Sequence, residues 1–450
     1  MRLIFLKKRS QAMAPDSARR TGRKLNIQRW SNAVMPFLHP TRLVLAVFLA
    51  LALSQAPAAA APAYESPPQL RASDVLPKAM LSGPDFRVDP LVTSDGYLNT
   101  YILHSRFGDF TVVSTALLRT RISEVAALAV MEQVSNSGQF GTALAGKGIQ
   151  TVKGAANLVI HPVDTITGTL SGVGKFFMRA QESMTSEKSR YEDSAGQQLI
   201  GFSQIKRDYA KQFRVDPYST NQVLQDKLDA LASAGLAGSI TGSALQALIP
   251  GGVGIAVGSI SGSAVLGEVD VSVAPQDLRR QNRESLRGMG VPDSLTRLFI
   301  DNTVFTPVQQ TGIVQALASM DGVKGRDAFI GFAADTDSQD LALFRQRMSQ
   351  MYAGYALKVG SLDRFVTLGR FVGAATPGGK LILAFPLDYL SWTETTAKIV
   401  AGLRDAAAAN NLAGAEVWFT GKASPLCRKE FKRLGFTVHE NAAEKLLDGK

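Results

Sequence analysis

ALASAGLAGSITGSALQALIPGGVGIAVGSISGSAVLG (230–267) is a run of 38 residues without a single charged side chain, broken near its middle by Pro250-Gly251-Gly252. Small residues recur every fourth position, as Ala234, Gly238 and Gly242 before the break and Gly254, Gly258 and Gly262 after it. On a helix this spacing keeps them on one slowly drifting face, where the missing side chains let two backbones approach closely. At ~1.5 Å per residue, each arm would reach roughly 25–30 Å, near the hydrocarbon thickness of a bilayer. The pattern predicts a glycine-zipper helical hairpin. Two placements are open to it. It either contacts a membrane, alone or as a homo-oligomer packed through its glycine faces, or it is sheathed by the protein's own helices. The Ala/Gly/Ser-rich, Leu-poor arms argue against insertion, since apolar transfer scales with buried area, and the absence of charge over 38 residues argues for it.

Upstream, LVLAVFLALAL (43–53) follows Arg42 and precedes SQAPAAAAPA (54–63). A basic flank, a short apolar core and small residues at the cleavage positions describe a secretory signal peptide, with cleavage expected after Ala59, Ala60 or Ala61. Met35 is read as the start of translation. Residues 1–61 hold ten Lys/Arg and one Asp, so the net charge of +11 for the chain falls to +2 beyond the leader. The basic balance therefore gives no reason to expect a nucleic-acid partner. Cys427 is the only cysteine, so an exported chain must rely on a buried core rather than on internal disulfides.

The expected fold class is α+β: an N-terminal β-hairpin–helix unit, a mainly helical middle carrying the glycine-zipper helical hairpin, and a small C-terminal α/β domain. Residues 62–90, rich in Pro, Ala and Ser, read as a flexible lead-in. In the unit assigned to 91–178, YLNTYILHS and FTVVST form a hairpin joined at Arg106-Phe107-Gly108-Asp109. A helix follows over about 116–134, with Leu118, Ile122, Val125 and Ala129 on its buried face. Two short amphipathic pieces flank Pro162, and 179–198 lacks apolar periodicity and reads as a linker. The helical domain at 199–358 ends in a helix capped by Ser338, with Leu341, Phe344, Met348, Met351, Tyr352 and Tyr355 on one face. From 360 to 450, RFVTLG and KLILAFP are strands flanking ATPGG, then helix, EVWFT, helix and FTVH. This alternation implies crossovers and a largely parallel sheet in a separate domain.

As a set, LHSRFGDFTVVSTALLRTRISEVAALAVMEQVS (103–135), VIHPVDTITGTLSGVGKFF (159–177), VDPYSTNQVLQDKL (215–228) and PLDYLSWTE (386–394) resemble an uncharacterised family of exported bacterial envelope proteins. The likeness runs from about Tyr97 to Glu394. It implies an envelope location and one co-linear architecture, and brings no activity, ligand or catalytic residue with it.

No catalytic motif stands out. There is no G-x-S-x-G elbow, FTGKAS (419–424) carries Glu416 where a phosphate loop needs its first glycine, and GGVGIAVG (251–258) has Val257 at the third dinucleotide position. His104, His161 and His439 share no metal-binding spacing, and His161-Pro162-Val163-Asp164 reads as a structural turn. No cofactor is expected. The best place for a small ligand is the C-terminal sheet, where Asp388 and Thr420-Gly421-Lys422 follow strands at their carboxyl ends and Trp392 would cover the crevice. Arg279, Arg280, Arg283 and Arg287 follow the neutral segment on a helix begun by Pro275 and ended near Gly288. They are candidates for anionic headgroups, although pairing with Asp277 and Glu284 on a solvated face is the commoner use.

The functional expectation is an exported, membrane-associated envelope protein of structural or interaction role, with membrane lipid or an envelope protein as partner. A soluble periplasmic binding protein or hydrolase working at the C-terminal sheet, and a secreted pore former, are the alternatives.

Overall fold

Pairing in the first sheet is dominated by one strand. The computed structural model describes residues 64–136, 173, 201–236 and 269–448. Strands β1 (Gln69–Arg71), β2 (Ser82–Gly83), β3 (Phe86–Val88), β4 (Leu91–Ser94), β5 (Asn99–Ser105) and β6 (Gly108–Val113) form an antiparallel sheet in which β5 has three partners. One edge of β5 pairs with β6 from Thr100↔Val113 to Ser105↔Gly108. The other edge is shared, β4 taking Asn99 and Thr100 and β3 taking Leu103 to Ser105. Alternation in NTYILHS decides which side chains face inward: Tyr101 and Leu103 are fully buried, and His104 lies between Asp89 and Asp109 at 3.7 and 3.0 Å.

The stretch from residue 64 to 90 is not a loose lead-in. It supplies β1 to β3 and the short helix α1 (Ala72–Val75), and it buries Ala72, Leu76, Met80 and Val88. Its prolines mark turns between these elements, and the apolar residues between them are the ones that pack into the core.

Helix α2 (Thr115–Asn136) starts at Ser114, whose hydroxyl accepts from Leu117 N at 3.1 Å, and lays Leu118, Ile122 and Val125 on the sheet. Farther along, Leu128 and Met131 pack with α3 (Phe202–Gln212) and α4 (Gln222–Leu236). A buried polar network ties α2 to the turn before α4. Arg121 donates to Glu124, Ser219 and Thr220, and Asn221 Nδ2 donates to Glu124 Oε2 at 2.9 Å.

Helices α5 (Pro275–Gly288), α6 (Asp293–Ile300), α7 (Pro307–Ala318), α8 (Arg326–Ala334) and α9 (Gln339–Lys358) follow. The sequence Thr306-Pro307-Val308-Gln309 starts α7 with a full capping box. Ser338 sits at the N-cap of α9, but its hydroxyl makes no capping bond. The apolar face expected for α9 is buried as a whole, and the wholly buried Arg345 donates to Ala333 O and Thr336 Oγ1 at 3.2 and 2.8 Å.

The second sheet runs β13-β11-β9-β8-β7, from β7 (Arg364–Leu368), β8 (Phe371–Ala375), β9 (Leu381–Phe385), β11 (Ala415–Phe419) and β13 (Phe436–His439). The two-residue strands β10 (Tyr389–Leu390) and β12 (Lys422–Ala423) pair beside it. Strands β9, β11 and β13 are parallel, while β7, β8 and β9 are antiparallel neighbours, so the sheet is mixed rather than largely parallel. Helices α10 (Glu394–Ala409) and α11 (Pro425–Arg433) are capped by Thr393 and Ser424, and α12 (Ala443–Leu446) packs on α9. The expected boundary near 358–360 is no break in packing. One apolar core joins Phe299, Ile330 and Tyr352 of the helices to Leu383 and Phe419 of the sheet, and Tyr352 OH donates to Val372 O at 3.2 Å. The described residues thus have an α+β architecture.

Candidate functional site

The carboxyl ends of β9 and β11 meet at Asp388 and Gly421. Gly421 N donates to Leu387 O at 2.8 Å and Lys422 N to Asp388 O at 3.0 Å. Only glycine fits at 421, because a Cβ there would lie 1.9 Å from the Asp388 carbonyl oxygen. The crossing also brings in the first sheet. Asp388 N donates to Tyr97 O at 3.0 Å, and Asp388 Oδ2 accepts from Asn99 N and Thr115 N, both at 3.0 Å. Thr115 is the first residue of α2, so the carboxylate also meets the positive end of a 22-residue helix. Burial nevertheless dominates and pushes the Asp388 carboxyl up to about 6, against the pull of those amides.

Beside this junction lies a cleft of about 300 Å³. Asp388 and Thr115 line its floor, Thr420, Gly421 and Lys422 one side, and Arg119 of α2 and Arg347 of α9 the other. Lys422 Nζ donates to Asp74 O at 3.0 Å, linking the far rim to α1. Burial and the like charge of Arg119 bring the Arg347 guanidinium down to about 10, with Asp448 acting in the opposite sense. The described residues that line the cleft include two threonines, Thr115 and Thr420, and no Ser, Cys or His.

Three of the four residues expected at the C-terminal sheet thus share one cleft, with a change of role. Asp388 is a buried anchor between the sheets rather than an exposed ligand group, and the Thr420 hydroxyl donates to Leu387 O at 2.9 Å. Trp392 does not cover the crevice. It is buried against Phe431, ring centroids 6.0 Å apart, because its backbone is held by Glu65. Nothing in the sequence links Arg119 and Arg347 to this cleft, since they stand far from its strands on α2 and α9. Cys427 is buried, and burial pushes its thiol up. Among the described residues no cluster of His, Cys, Asp and Glu could hold a metal ion. His439 stacks on Trp418 at 3.8 Å in the last strand.

The neutral segment gives a second site of interest at its root. Gly238, Gly242, Gly254, Gly258 and Gly262 lie outside the described residues, as do the leader, the linker at 179–198, and His161 and Asp164. Ala234 is described, and it is packed into the protein's own core with Leu231 and Tyr209 instead of standing on a free arm. Its neighbour Gly235 lies so close to α3 that a Cβ would fall 2.2 Å from Tyr209 OH. Beyond the segment, Asp270 pairs with Lys211 of α3 at 2.9 Å, and Ser272 O accepts from Arg207 Nε at 3.3 Å. Hydrogen bonds from Ser272 and from Lys211 draw the Asp270 carboxyl down to about 2. Both ends of the segment are therefore fastened to one helix, and Gly235 and Ser272 border the same depression.

The arginines of α5 do not form a free basic face. Arg280 pairs with Asp277 at 3.5 Å and Glu284 at 3.3 Å, Arg283 with Asp301 at 3.5 Å and Arg287 with Asp293 at 4.0 Å. Arg279 is half-buried and lines a groove of about 600 Å³ together with Lys206, Asp229 and Gln310. Among the described residues, no helix is long and apolar enough to cross a membrane. No protein-family model, curated protein or solved structure matches this chain.

Proposed function

We propose that this chain is an exported envelope protein of structural or interaction role, which associates with a membrane through the neutral segment 230–267 acting as a glycine-zipper helical hairpin. The observation that carries the reading is the root. A segment that leaves α4 where Gly235 touches α3, and is back on α3 at Asp270 and Ser272, has the closed ends a hairpin needs. Its 32 residues from 237 to 268 contain one charge, Glu268, next to the return point. Helix α4 is packed into the body up to Ala234, so this part of the first arm already serves the protein's own core. About 12 residues from 238 to 249 reach roughly 18 Å, which suits insertion into one leaflet or pairing with a second copy better than a full crossing.

In this reading the leader directs export, the body from residue 64 carries the hairpin, and the likeness of the sequence to exported envelope proteins supports the location. The test is fractionation of cells producing the signal-cleaved protein. It is expected in the membrane fraction after washing with high salt and with alkaline carbonate. Complete release by salt alone would refute insertion, because apolar burial in a bilayer is not weakened by salt.

A further inference from the structure

The groove beside Arg279, about 600 Å³, lies within the usual size range of ligand sites. Its wall is built where helices begin, since Phe202, Pro275 and Pro307 are the first residues of α3, α5 and α7. The positive ends of three helices therefore border one concavity, and neither α3 nor α5 has a side-chain cap at that end.

The charged side chains add to this field. Three cations line the groove, Lys206, Arg207 and Arg279, against one acid, Asp229, which pairs with Lys206 at 2.6 Å. Arg207 is 7% exposed and donates to neutral oxygens, Ser272 O at 3.3 Å and Gln204 Oε1 at 2.7 Å. Unlike the other three arginines singled out on α5, Arg279 has no paired carboxylate among the described residues, and its buried Nε has no hydrogen-bond partner. The acids nearest to the wall are engaged elsewhere: Asp277 pairs with Arg280 at 3.5 Å, and Glu124, bonded to Ser219, pairs with Arg121 at 2.6 Å. The groove thus holds more positive charge than its own acids balance, and it favours an anion.

The neutral lining restricts what that anion can be. Ser203, Gln276 and Thr303 bring groups that both donate and accept, and Phe202 and Tyr218 bring half-buried aromatic rings. Pro217, Pro275 and Pro307 have no backbone N–H, so this wall offers an extended peptide few main-chain donors. A sugar suits it better, because its hydroxyls also donate and accept, and its C–H face can lie on the negative face of an aromatic ring. We infer that the groove binds a short acidic oligosaccharide, with a carboxylate on Arg279 and sugar rings against Phe202 and Tyr218. The planar guanidinium fork matches a carboxylate with two parallel hydrogen bonds.

The test is calorimetric titration of the signal-cleaved full chain with trigalacturonate, with the neutral trisaccharide maltotriose and with inorganic phosphate. Trigalacturonate is expected to bind at least about tenfold more tightly than either, a factor in keeping with hydrogen bonds to a charged group. Arg279→Gln is expected to remove most of that advantage while leaving the thermal midpoint in place, since no bond within the protein is lost. Arg280→Gln, one residue along but outside the groove, is expected to leave binding unchanged. Absence of trigalacturonate binding at about 10 mM, equal or tighter binding of maltotriose or phosphate, or equal losses in the two variants would overturn the assignment. None of these results bears on membrane association, which rests on the neutral segment.

Discussion

The two sheets differ in what holds them. The first is antiparallel and drawn from one short stretch of chain, with β5 pairing to β3, β4 and β6, all close to it in sequence. The second joins strands separated by helices, with β9, β11 and β13 aligned in parallel across α10 and α11. Between them the ladder stops, and single groups take over. Asp388 binds the amides of Asn99 and Thr115, Ser391 N donates to Gly96 O, and Glu65 joins Trp392 N to the Ser424 hydroxyl. The junction is thus polar, buried and specific, and the cleft opens beside it. Polar groups fixed in this way hold their orientation because an unmade bond there costs more than one at the surface.

Tight backbone crossing separates the junction from the interior of the second sheet most sharply. Gly421→Ala would drive a Cβ into the Asp388 carbonyl, whereas at Gly373 the nearest atoms are the side-chain tips of Leu381, Leu368 and Leu383 at 2.7, 3.0 and 3.1 Å. Chemical denaturation should show a loss of about 3 kcal/mol or more for Gly421→Ala and a clearly smaller loss for Gly373→Ala. Equal losses would mean the junction is no more constrained than the sheet.

Proton uptake gives the next largest effect. The Asp388 carboxyl lies above its unfolded range, so the folded protein binds that proton more tightly than the unfolded chain. The cost of keeping it ionised is fully present above about pH 6, falls as pH drops, and is gone below about 4. At about 1.4 kcal/mol per pH unit this amounts to about 3 kcal/mol. Stability measured from pH 7.5 to 5 should therefore rise toward acid, and Asp388→Asn should flatten the slope. The flattening will be partial, because burial also holds Asp216 up to about 7, helped by the Glu124 charge. A slope unchanged in Asp388→Asn would remove Asp388 from this role.

Loss of the anchor itself ranks third. Asp388→Ala leaves two amides without their acceptor and should cost about 2 kcal/mol, with hydrogen exchange at Asn99 and Thr115 accelerated ahead of the strand interiors. Glu65→Ala, at the start of the described chain, should cost about 1 kcal/mol and loosen residues 64–71 alone.

Most of the second sheet was legible beforehand, of the first only the hairpin, and the junction was not. Apolar runs such as KLILAFP and EVWFT announce buried strands, and the hairpin of β5 and β6 follows from alternation around Arg106-Phe107. The strand FVGAA was missed because Gly373 and Ala374-Ala375 look like the loop that follows. The missed signal was Gly369-Arg370, a two-residue turn with Gly369 at φ 61°. Asp388 and Lys422 were found from their place after parallel strands, a rule of topology. Arg119 and Arg347 could not be found that way, because their nearness depends on how α2 and α9 cross the body. Likewise the four-residue spacing marked Ala234 as a zipper position, but spacing cannot tell a contact inside the body from one outside it.

The closed root of the neutral segment permits a direct test of its role. Because Gly235 and Ser272 border one depression, residues 237–268 can be replaced by a short Gly/Ser linker without pulling α3 and α4 apart. Flotation of both proteins with vesicles of phosphatidylethanolamine and phosphatidylglycerol is the decisive comparison. The intact signal-cleaved chain should rise with the vesicles and stay bound in carbonate, while the linker variant, with an unchanged circular dichroism spectrum, should remain at the bottom. Equal behaviour of the two proteins would contradict membrane association through this segment.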